Sequence, residues 1–185
     1  MIGAWDLARH LLSRIKPEQG DSITHLKLQK LLYYCQGWHL AAFGTPIFRE
    51  DVEAWELGPV VRSVYGRVKG FGDAAIPPSM IDFENLPALD PDAEWLVRQV
   101  WERYARFSGS ELVTMTHREE AWRKNHVAGQ LDSIIPQSDL KDWFCHVLEL
   151  DLREADFAPA TDEDVAMVSL LVSRIEANGE LRRPG

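Results

Sequence analysis

THLKLQKLLYYCQGWHLAAFG, residues 24–44, decides the fold class. Leu28, Leu31, Leu32, Cys35, Trp38 and Ala42 recur at spacings of three and four, which is one face of an α-helix. Thr24 offers a hydroxyl to the free amides of the first turn. Gly44 can take the left-handed turn that ends a helix, and Pro46 prevents its continuation. Lys27 and Lys30 fall off the apolar stripe. A stripe this long needs other helices to cover it.

The flanking segments supply them. Trp5, Ala8, Leu12 and Ile15 predict an N-terminal helix closed by Pro17 and Gly20. Residues 45–57 lack the helical period, so a minor two-stranded element is expected near residues 47–55. Gly58-Pro59 reads as a turn into a helix with proline at its first position, carrying Val61, Val64, Tyr65 and Val68. Residues 73–91 are proline-rich loop, and Asp90-Pro91 is a helix start. Ser108-x-x-Glu111 and Thr116-x-x-Glu119 both have the capping-box spacing. Pro136 and Ser138 open a helix through Leu140, Phe144 and Val147. The expectation is a mainly α, compact single-domain bundle of about seven or eight helices. The domain covers residues 1–149, followed by a linker at 150–160, a C-terminal helix at 161–178 packed on the same domain, and a tail at 179–185.

Composition narrows the function. The chain has 185 residues, seven tryptophans and a formal net charge of −9. That charge is uneven: nine basic and seven acidic residues lie in 1–70, seven and fourteen in 71–150, and four and eight in 151–185. Binding phosphates by counterion release needs a basic face on the scale of a domain, so nucleic acid is not expected as a main partner. Two cysteines, Cys35 and Cys145, are too few for a secreted disulfide scaffold. No apolar run approaches a spanning helix. A reduced, cytoplasmic protein without membrane contact is the plain reading.

The residues carry no recognisable reaction. Cys35 and His39 have a spacing that can hold a metal, but CxxC and HExxH are absent, and Cys35 lies on the apolar stripe. A Cys35/His117 dyad has only composition behind it. Glu119-Glu120 reads as acidic charge at a helix N-terminus. No metal, catalytic residue or cofactor is therefore assigned. Lys27, Lys30, Tyr33 and Tyr34 form a basic-aromatic strip, either a solvated face with snorkelling lysines or a contact for a protein partner. Trp55 and Trp122 sit beside turns, where tryptophan is either a core anchor or an interface hot spot.

Lys27-Leu28-Gln29-Lys30-Leu31-Leu32-Tyr33-Tyr34, then Ala54-Trp55, Gly58-Pro59-Val60-Val61, Tyr65, Thr116-His117 and Trp122, give the chain a family likeness. Over roughly residues 3–146 it resembles the Panacea antitoxin domain family. The resemblance implies a helical antitoxin that neutralises a cognate toxin by direct protein contact. SocA-like members imply more: a proteolytic adaptor presenting the toxin to ClpX, for degradation by the ClpXP protease. Plain sequestration is the alternative, and a small metal- or Cys/His-dependent hydrolase a further one. The motif positions matched here, and so the protein-binding residues it implies, are Lys27, Lys30, Tyr33, Tyr34, Trp55, Gly58, Pro59, His117 and Trp122.

Overall fold

The computed structural model describes residues 1–82 and 84–154. Among them are α1 (Ala4–Leu12), α2 (His25–Phe43), α3 (Arg62–Val68), α4 (Pro91–Tyr104), α5 (Gly109–Thr116), α6 (Glu120–Arg123) and α7 (Gln137–Glu154). β1 (Glu53–Trp55) and β2 (Gly58–Val60) form a two-stranded antiparallel sheet. The fold is mainly α, as the periodicity predicts.

α2 is the axis. Thr24 Oγ1 accepts from Lys27 N at 3.2 Å, and Gly44 closes the helix at φ 69°, its N–H on Leu40 O. The flanking elements α7, α4, α5, α1, α3 and β2 all pack on it. Every residue from Leu28 to Ala42 is consequently buried, not only the stripe. Three of the polar residues in that span reach backbone, although Gln29 Nε2 is left buried without a partner. Gln36 Nε2 donates to Phe48 O, and its Oε1 accepts from Ile47 N and Phe48 N. Gln29 Oε1 accepts from Val61 N, and Lys30 Nζ donates to Pro59 O. A buried side chain tied to backbone avoids the cost of an unmet hydrogen bond, so these residues fasten loops and strand to the helix.

α7 crosses α2 at Gly37, where the Phe144 ring occupies the space a Cβ would need. Phe144 meets Tyr33, Tyr34 and Trp38 edge-on, with centroids 5.5, 6.1 and 5.0 Å apart. α1 is capped from a distance: Ala4 N donates to both Glu50 carboxylate oxygens, at 3.0 and 3.1 Å. Asp90 caps α4 through Ala93 N, and Ser108 with Glu111 completes the capping box of α5.

Four expectations change. The strands lie at 53–60, later than expected, because Ile47 and Phe48 give their backbone bonds to Gln36 and Ile2 rather than to a strand partner. Gly58-Pro59 belongs to β2, and the helix begins only at Arg62. Trp55 faces Gly58 across a two-residue turn, and Gly58 at φ +93° makes that turn possible. Pro59 sits opposite Ala54, whose N–H turns away to Ser133 O at 2.7 Å, so proline costs this ladder no bond. Thr116-x-x-Glu119 is not a capping box. Thr116 ends α5 with its hydroxyl on Val113 O, and the Glu119 carboxylate faces tyrosines instead. At the far end, α7 runs on through Glu154, into the expected linker. The C-terminal helix and tail expected beyond it lie outside the described residues.

Candidate protein-binding face

The β1–β2 hairpin is seated on buried polar groups. Lys30 is fully buried, with Nζ 3.0 Å from Pro59 O. Burial disfavours its charged form and pushes it down to about 7. A Cβ on Gly58 would stand 2.8 Å from both Lys30 Nζ and Thr116 Oγ1, so the lysine reaches its seat only beneath a glycine. Next to it, Tyr33 and Tyr34 donate to the two oxygens of Glu119, at 2.5 and 2.9 Å. Burial raises Glu119 to about 7 against the pull of those two bonds, and both phenols are raised by the same burial. Glu119 does stand at the N-terminus of α6, but its carboxylate accepts from two tyrosines and makes no cap bond.

Above this seat lies an aromatic platform. Trp122 is sandwiched between His117 and His126, with centroids 4.1 and 4.4 Å away and planes inclined 10° and 19°. Its Nε1 donates to Trp55 O at 3.0 Å, locking α6 to the hairpin. Burial, and then the Lys30 charge, lower the pKa of His117. His126 Nε2 lies 3.2 Å from Glu56 at the hairpin turn. Trp55 donates through Nε1 to Glu53 at 2.7 Å and meets Tyr65 edge-on at 4.8 Å. Arg62 grips Glu53 through Nε and Nη2, at 2.8 and 2.6 Å, and also donates to Leu131 O at 2.7 Å. That third bond fastens the 125–135 loop to the hairpin.

The nine motif residues thus divide. Trp55, His117 and Trp122 build the platform; Gly58 and Pro59 build the hairpin beneath them. Lys30, Tyr33 and Tyr34 are buried under it, so at these three positions the strip expected as a solvated face or a partner contact is interior instead. Their polar atoms anchor the hairpin and Glu119, and that is why a run of Lys and Tyr is tolerated there. Lys27 stands apart, half-buried, with Nζ on Ala105 O. Desolvation lowers its pKa, opposed by Asp21 and Glu111. Gln29, Glu53, Arg62 and His126 were given no binding role from the sequence. Nor were the apolar side chains Leu57, Val127, Leu131 and Ile134. The last three had a signal: apolar residues in a turn-rich segment with no helical period.

The other candidates come apart. Cys35 is sealed in the core, where burial raises its thiol and works against a thiolate nucleophile. His39 is turned to Thr45 O through Nδ1. No group of three His, Cys, Asp or Glu among the described residues is placed to hold a metal. No helix among them is long and apolar enough to cross a membrane.

The helices thus hold His117, Trp122 and His126 as one stack locked to the hairpin, with Trp122 itself only 8% exposed. The family described as "Antitoxin SocA-like, Panacea domain" matches residues 28–123, from the second turn of α2 to the end of α6, and the chain belongs to this family. It is also similar to "Antitoxin SocA" of Caulobacter vibrioides (strain NA1000 / CB15N), 33% identical over 103 residues. That match spans 51% of this chain and 55% of the relative, about half the length of each. No solved structure matches.

Proposed function

We propose that this chain is the antitoxin of a toxin–antitoxin pair, a non-enzymatic cytoplasmic protein that neutralises its cognate toxin by direct contact. The observation that carries the reading is family membership across the stretch that builds the hairpin and the aromatic platform. Coexpression with the neighbouring open reading frame tests it. The neighbour is toxic alone and harmless with this chain present. A neighbour that is harmless alone, or equally toxic in its company, refutes the reading.

Beyond neutralisation, the chain delivers the toxin to ClpXP. Support comes from the SocA-like family and from a charge division suited to two partners: residues 1–70 are net +2, while the rest of the chain carries the acidity. Deleting the gene lengthens toxin half-life if the chain is an adaptor; an unchanged half-life leaves sequestration. Removing residues 161–185 and measuring thermal stability beside toxin binding shows whether that segment closes the core or serves a partner.

A further inference from the structure

Large apolar side chains are at least half exposed at only five described positions: Met1 at 65%, Leu57 at 58%, Val127 at 52%, Leu131 at 57% and Ile134 at 50%. Four of the five lie on the hairpin and the loop fastened to it. Leu57 forms the hairpin turn, and Ile134 bridges to Glu53. Leu131 is held by Arg62, and Val127 follows the His126–Glu56 contact. Single exposed apolar residues need no explanation, but a group of four on one rigid support marks an interaction site.

Charge selects the occupant. Residues 53–62 and 125–135 carry Glu53, Glu56 and Asp132 against Arg62, a net −2 with histidine neutral. A second copy would bring the same negative face onto itself. Residues 155–185 of this chain hold six acidic and three basic residues, a net −3, and would be repelled as well. Like charges brought together at an interface oppose association, whereas a basic partner is steered in. We infer that the hairpin turn and the 127–134 loop are the toxin-docking surface, taking an apolar anchor of the toxin flanked by lysine or arginine. This rests on the antitoxin reading above. The family match ends at residue 123, so the apolar lip at 127–134, like His126 of the platform, lies outside the matched segment. The lip is then where this chain selects its own toxin.

The test uses the full chain and the product of the neighbouring open reading frame. Leu57→Asp and Leu131→Asp each weaken binding about 30-fold or more, as truncation of a central apolar anchor does. Both side chains are exposed, so unfolding temperatures stay at the wild-type value. Glu56→Lys slows association and makes it less sensitive to salt. Glu149→Lys, on exposed α7 surface, is the control and changes neither. If the wild type fails to bind the neighbour's product, the antitoxin reading falls. If the wild type binds and the two aspartate variants bind as tightly, the docking surface alone is refuted.

Discussion

Gly37→Ala sets two opposed effects against each other. Alanine is favoured over glycine inside a helix by about 1 kcal/mol. At Gly37, however, the new methyl would lie 2.6 Å from Phe144 Cζ, with two further ring atoms nearer still. Carbon atoms sit comfortably at about 3.5–4 Å, so α7 or the ring must retreat by roughly 1 Å or more. The ring has little freedom to do so, because Tyr33, Tyr34 and Trp38 surround it. Overpacking of this kind costs about 1–3 kcal/mol and exceeds the propensity gain where the neighbours cannot yield. Contacts this short put the cost at the upper end, about 2–3 kcal/mol, so the expected net loss is about 1–2 kcal/mol. In a thermal melt followed by circular dichroism, that lowers the midpoint by about 2–8 °C. Phe144→Leu in the Gly37→Ala background relieves part of the clash, and the double-mutant cycle shows a favourable coupling of about 1 kcal/mol. A Gly37→Ala variant as stable as wild type, or more so, would falsify the close crossing of α2 and α7.

Three further outcomes follow from the buried polar groups. Lys30, held near 7 when folded against 10.5 otherwise, binds fewer protons folded than unfolded between those values. Stability therefore rises with pH over that window, by up to about 1.4 kcal/mol per pH unit, and urea midpoints of Lys30→Met at pH 7 and 9 show the rise removed. Glu119 has the opposite sign: raised from 4.5 to about 7, it keeps its proton longer in the folded chain, so its contribution declines as pH climbs from 4.5 to 7. Glu119→Gln flattens that decline; an unchanged pH profile would show that Glu119 is not the group responsible. Gly58→Ala meets both a φ of +93° and the Lys30 ammonium, and loses about 2 kcal/mol or more in urea titration, with a changed near-ultraviolet tryptophan spectrum. A loss confined to a few tenths of that figure would mean the hairpin is not seated as described.

The residues of the face were only partly legible beforehand. Trp55 and Trp122 stand out beside turns, and the structure joins them through one indole-to-carbonyl bond. The contacts of His126 with Glu56 and of Arg62 with Leu131 span 70 and 69 positions, beyond the reach of any local pattern. Lys30, Tyr33 and Tyr34 gave a misleading signal. Polar groups on a helix read as a solvent face unless their partners are known, and those partners, Pro59 and Glu119, lie on distant segments.

By itself the sequence determined what is local. The helical class, the start of α2 at Thr24 and its end at Gly44, the Asp90-Pro91 start of α4 and the Ser108 capping box all depend on residues within four positions of each other. Backbone sterics and first-turn hydrogen bonds act at that range. The tertiary structure decided everything that depends on what packs where. It made α2 buried on all sides, turned Gly58-Pro59 from a helix start into a strand, and took Glu119 out of a capping box to meet two tyrosines. In each case a long-range contact outweighed the local preference, because a buried donor or acceptor left unmatched costs more than a helix cap contributes.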